Sequence, residues 1–163
     1  MRVIMAPFPY QRLDGELIVF LAGSIETGTS VQWRNKVIDA CRDDNVLFLN
    51  PSRDDWDSTW QEHIDNPQFN EQVTWELVGL ETADLIFLYF DSTSKGPLSL
   101  LEFGLFHTHN MLVCCPPGYW RKGNVDIVCK RYDLTEVACL EDAINQMKKW
   151  FGNRFLDRGV DHE

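Results

Sequence analysis

Basic residues are scarce in this 163-residue chain. Fifteen lysines and arginines stand against 25 aspartates and glutamates, a formal net charge of −10. A protein that grips a phosphate backbone needs a basic surface to displace counterions, so a nucleic-acid polymer is excluded as the expected partner. Long apolar runs are missing as well. The longest, residues 17–22 and 85–90, are too short to span a bilayer, so no membrane partner is expected. Residues 1–10 hold two prolines and no extended apolar stretch, which excludes a secretory leader as the reading of this start. The five cysteines, Cys41, Cys114, Cys115, Cys129 and Cys139, are odd in number and follow no zinc spacing. Nucleotide-loop signatures are absent too: no Gly-Lys-Ser/Thr follows Gly23, and no Gly-x-Gly-x-x-Gly occurs. These absences together predict a reduced cytoplasmic protein with free, mostly buried thiols.

What remains is ordinary globular material, 44% hydrophobic and 25% charged, enough for one domain over residues 1–163. Residues 1–16 read as irregular, with turn chemistry at Asp14-Gly15. Unalternating apolar runs at 17–22, 46–50, 85–90 and 111–115 predict buried strands, and 125–129 reads as a fifth. Helices are expected over 31–42, 69–82, 97–109 and 140–156, the third opened by Pro97. Strands alternating with helices predict an α/β, flavodoxin-like three-layer sandwich. Its five-stranded parallel sheet would run in the order 2-1-3-4-5, with helices on both faces. Ligands of such sheets bind beyond the carboxyl ends of the strands. The loops at 23–30, 51–66 and 91–97 all leave that edge.

Two carboxylates stand out there. Glu102 lies about one and a half turns into the helix opened by Pro97, in an otherwise apolar run. Burying that charge is costly unless it is partnered or useful. Two readings stay open: a nucleophile for a sugar carbon, or a carboxylate satisfying amides at a helix start. Glu76, on the preceding helix, is either a second catalytic carboxyl group or an exposed helix glutamate. Gly23, Ser24 and Ile25 open the loop after the first strand, where glycine admits a ligand and serine can bond one. Asp91 begins the polar loop after the third strand. His107 and His109 suit a helix C-terminus better than a metal. Cys114 and Cys115 suit core packing, and Asp54, Asp55 and Asp57 a solvated loop. Trp56 and Trp60 are either base-stacking residues or a buried lid.

In combination these pieces resemble the nucleoside 2-deoxyribosyltransferase family, in its divergent branch. The carrying strings are Phe20-Leu-Ala-Gly-Ser-Ile25, Gln72-Val-Thr-Trp-Glu-Leu77, Thr82-Ala-Asp-Leu-Ile86 and Leu100-Leu-Glu-Phe-Gly104. Gly123-Asn-Val-Asp126 is similar to the family's segment near a neighbouring active site, and the likeness runs from about residue 17 to 132. The resemblance implies that Glu102 attacks the anomeric carbon of a 2′-deoxynucleoside, giving a covalent glycosyl intermediate. A second base or water would then take the sugar. It implies that Glu76 assists, one methylene longer than the family's usual aspartate. Asn124 would reach the sugar across a subunit interface. Also implied are a homo-oligomer, a nucleoside or nucleotide and a free nucleobase as partners, and no metal or organic cofactor.

Two rival functions share this scaffold. A hydrolase of 2′-deoxynucleoside 5′-monophosphates would need a phosphate pocket from Ser24, Thr27 and Thr29, or from Ser92, Thr93, Ser94 and Lys95. A non-catalytic nucleotide-binding domain would keep the fold and lock Glu102 in an internal salt bridge.

Overall fold

The computed structural model describes residues 1–23 and 28–158. Six parallel strands form one sheet in the order β1-β3-β2-β4-β5-β6: β1 (Arg2–Met5), β2 (Leu17–Gly23), β3 (Val46–Asn50), β4 (Leu85–Tyr89), β5 (Met111–Cys114) and β6 (Thr135–Val137). The helices are α1 (Gly28–Ala40), α2 (Pro67–Thr82), α3 (Pro97–Phe106), α4 (Lys122–Tyr132) and α5 (Leu140–Arg158).

Alternating side chains divide the core into two layers, because successive strand residues point to opposite faces. Leu17, Val19, Leu21, Phe48, Phe87 and Leu112 meet Trp33 and Val37 of α1 and Met147 and Phe151 of α5. On the other face Ile18, Phe20, Leu49, Ile86, Leu88 and Val113 meet Leu80 of α2, Phe103 and Phe106 of α3, and Val125 and Cys129 of α4. A sheet covered on both faces has no solvated side, which is why its inner strands are continuously apolar.

The expected five-stranded order is corrected in two places. Residues 1–16 are not irregular throughout: Arg2 to Met5 pair with β3 in the register Arg2↔Leu47 to Met5↔Asn50 and add a strand at the edge. Residues 125–129 are not a strand but the middle of α4. Val125 and Cys129, four apart, are buried together while Ile127 is 71% exposed, a helical pattern. Lys130 and Arg131 sit in its last turn, where the helix dipole favours cations, and Asp133 closes it in the left-handed conformation. The strand beside β5 is instead the short Thr135–Val137 segment. Two helix ends move as well: α1 is helical from Gly28, and α3 ends at Phe106 with His107 as its C-cap.

Gly79 sets how closely α2 approaches the sheet. A Cβ there would lie 2.7 Å from two ring carbons of Phe20, which is fully buried. Gly79→Ala is therefore expected to lose about 1–3 kcal/mol of stability, despite alanine's better helix propensity. A lowered denaturant midpoint at unchanged slope would show it; an unchanged midpoint would contradict the packing.

Candidate active site

The crevice that matters lies between the carboxyl ends of β2 and β4. From β2 the chain turns back through α1 to β3, whereas from β4 it moves on through α3 to β5. Connections that part in opposite directions leave a gap at the strand ends, where such sheets take ligands. Gly23 and Tyr89 face each other across it in register. Gly23 has φ 142°, and a Cβ on it would come within 2.5 Å of the Tyr89 carbonyl oxygen. Only glycine fits there. Ser24, Ile25 and Thr27 lie outside the described residues, as does the side chain of Thr29.

α2 and α3 carry the two carboxylates on one face of the sheet. α3 starts with Gly96 in the left-handed conformation and Pro97 in its first turn. Its Ser99, Phe103 and Phe106 are buried, while Leu98, Leu101 and Leu105 are 69%, 56% and 55% exposed. Glu102 lies between these stripes, half-buried. Glu76 is also half-buried and accepts a 2.8 Å hydrogen bond from Gln72 Nε2, which donates equally to the Pro51 carbonyl. Gln72 is itself buried, so the Glu76 side chain is held to the end of β3 through a fixed amide.

The carboxyl groups feel each other. Burial pushes Glu102 up to about 8, the Glu76 charge adds to the rise, and the Arg34 charge opposes it. Glu76 is raised by burial too, against the Gln72 bond and the Arg34 charge. Among the described residues no hydrogen bond or ion pair holds the Glu102 carboxyl. An acid with a free carboxyl and a titration near neutrality is suited to chemistry.

Arg34 is the residue that the sequence reading missed. It is 1% exposed, with its guanidinium 4.5 Å from the centre of the Trp33 ring. It donates to the Gly23 carbonyl at 2.8 Å and the Leu21 carbonyl at 3.4 Å. One signal was available: at three and four residues before Val37 and Ile38, Arg34 falls on the inward face of its own helix.

Other expected site residues are placed as follows. Asp91 is buried, and its Oδ1 accepts from Thr93 N at 2.8 Å and Thr93 Oγ1 at 2.7 Å. Ser94 Oγ accepts from Gly96 N at 3.1 Å, so both hydroxyls help to shape the turn leading into α3. Asn124 is exposed on the first turn of α4. Lys122 of that turn pairs with Asp126 and with Glu136 of β6, which fixes where Asn124 is presented. Trp60 packs against Trp56 at 5.2 Å between ring centres and under Arg53 at 5.1 Å. His107 and His109 sit at the far edge, lining a groove of about 560 Å³ with Tyr132 and Trp150 at the amino ends of β4 to β6. That groove holds neither carboxylate of the pair. Among the described residues no cluster of three or more His, Cys, Asp or Glu is arranged to hold a metal. Cys114 and Cys115 are buried and pushed up to about 12 by desolvation, which fits packing rather than reactivity.

Comparison with known proteins gives a family and a fold. Residues 16–119 match the family described as nucleoside 2-deoxyribosyltransferase like. The matched stretch takes in Gly23, Arg34, Glu76, Asp91 and Glu102 and stops short of Asn124. Among solved structures, a conserved protein from Enterococcus faecalis V583 superposes with a TM-score of 0.60 at 10% identity, covering 82% of this chain and 98% of that chain. At that identity the likeness is one of fold. No curated protein matches.

Proposed function

The chain belongs to the nucleoside 2-deoxyribosyltransferase-like family, and from that premise we propose that it cleaves the N-glycosidic bond of a 2′-deoxynucleoside through a glycosyl ester on Glu102. The observation that carries the reading is the Glu102–Glu76 pair: two half-buried carboxyls, coupled by charge, beside the crevice between β2 and β4. A carboxyl locked in an internal ion pair would have favoured the non-catalytic reading, and among the described residues no ion pair holds Glu102.

At neutral pH the pair carries one proton, because two buried like charges repel. Burial leaves that proton mainly on Glu102, so it must pass to Glu76 or to the base before attack. A Glu102 carboxylate oxygen then bonds to C1′. The C1′–N bond breaks, its electron pair stays on the base nitrogen, and the proton neutralises the leaving base. In the second step a new base or water attacks C1′ from the vacated side. The ester C–O bond returns its electrons to Glu102, and the acceptor's proton goes to Glu76. Dividing one hard displacement into two is the gain from covalent catalysis. Neither step needs a metal or an organic cofactor.

A second copy of the chain completes the pocket in this reading. The exposed Leu98, Leu101 and Leu105 flank Glu102, and Asn124 projects from the neighbouring α4 into solvent. Apolar stripes beside a site are surfaces that association covers. We place the enzyme in the cytoplasm; four of its five free cysteines are buried, and no helix among the described residues is long and apolar enough to cross a membrane.

Incubation with a deoxynucleoside, alone and with a second free base, tests the proposal. Release of the base in the first case and a new nucleoside in the second are expected. A parallel reaction with the 5′-monophosphate separates nucleoside from nucleotide as the substrate; of the hydroxyls near α3, Thr93 already donates its own to Asp91. Intact substrate in all three mixtures would overturn the reading.

A further inference from the structure

We propose that Gln72 is a positioning residue: its amide bridges the end of β3 and the Glu76 carboxyl, pins one Glu76 oxygen and leaves the other free for proton transfer. The inference rests on the catalytic reading of the Glu76–Glu102 pair.

Gln72 and Glu76 stand four residues apart on α2, so their side chains meet on one face of the helix. Gln72 is 4% exposed, and its Nε2 donates at 2.8 Å both to the Pro51 carbonyl and to Glu76 Oε1. A carbonyl and an ionised carboxyl accept only, so the amide has one permitted orientation; turned over, its own oxygen would face both of them. The Pro51 end is anchored in its turn: Arg53, two residues on, lies 2.9 Å from Glu71, the neighbour of Gln72 on α2. The remaining atom of the amide tells against a packing role. Gln72 Oε1 is buried and has no hydrogen bond. A buried acceptor without a donor is destabilising, and methionine or leucine would fill the same space without one. What glutamine adds is the pair of donated bonds. They fix Glu76 Oε1, while among the described residues no hydrogen bond or ion pair takes Oε2. A carboxyl pinned by one oxygen holds the other in a constant place, as proton transfer to a leaving base requires. The same bond favours the charged form of Glu76, which burial opposes. Gln72 thus helps to keep the two carboxyls in different roles.

Gln72→Met in the full chain fills the space and removes both bonds. Deoxynucleoside turnover is measured against pH in this variant and in wild type, and the Glu76 carboxyl carbon is titrated by ¹³C NMR. The expected result is a kcat lowered roughly tenfold or more with KM little changed. The Glu76 titration and the acid limb of the activity profile should move upward together, by about half a pH unit or more, because the charged form has lost a donor. A wild-type kcat overturns the proposal, and so does a lowered kcat with the titration unmoved, which would leave Gln72 a structural residue. Should Gln72→Met not fold, Gln72→Asn decides by the same two readouts, since its amide is one methylene too short to meet both acceptors. Wild-type protein without glycosidic turnover would instead remove the reading of the pair, and the titration would still show whether Gln72 holds Glu76.

Discussion

Glu102→Gln is expected to cut base release by roughly a thousandfold or more while the chain stays folded. The substitution keeps the shape of the side chain and removes the one thing that the first step uses, an oxygen able to take a full negative charge and bond to C1′. An amide oxygen is too weak a nucleophile to replace it. The fold should not be weakened by the loss, because no hydrogen bond or ion pair among the described residues holds the carboxyl. What remains of the site, Glu76 with Gln72 and Arg34 with the end of β2, is unchanged in shape. Chromatographic measurement of released base decides the matter. Turnover within tenfold of wild type, in a protein with native circular dichroism, would remove Glu102 from the chemistry.

How much of this was legible beforehand varies by element. The four central strands were plain, because strands covered on both faces hold few polar groups: Leu17 to Ala22 has none, and Leu85 to Phe90 only the Tyr89 hydroxyl. The edges were not. β1 is a half-buried strand of four residues, too short to show a period. β6 is three residues long and partly exposed. Val125 to Cys129 fits a short strand or one helical turn equally, and its helical nature rests on Val125 and Cys129 sharing a buried face, which one turn of sequence hardly announces. Within the candidate site, Glu102 stood out as an acid in an apolar run, and Glu76 only through the string that resembles a known family. Arg34 did not stand out. An arginine in a helix is ordinarily solvated, and only the packing shows this one buried, with its head group on the carbonyls at the end of β2. Ser24 and Ile25 belong to a stretch outside the described residues, so their assignment stays where the sequence left it.

The largest effect on stability should come from the same side chain and run in the opposite direction. Glu102 titrates near 8 in the folded chain, against an ordinary value of 4.5. Folding therefore favours its protonated form. The protein keeps that stability in full below about pH 4.5 and loses it progressively as pH rises towards 8, where the buried group must ionise. Glu102→Gln carries no such proton, so the two proteins should melt together near pH 4 and separate above it. The shift would correspond to about 5 kcal/mol if all of it reached stability. Compensation from Arg34 and the exposed part of the site reduce this to roughly 2–4 kcal/mol at pH 9, or about 5–15 °C in Tm. Calorimetry of both proteins from pH 4 to pH 9 measures it, and parallel curves would mean that Glu102 is not under strain. A gain in stability joined to a loss of turnover is what a functional carboxylate should show, since the apolar setting that makes its charge reactive also makes that charge costly to keep.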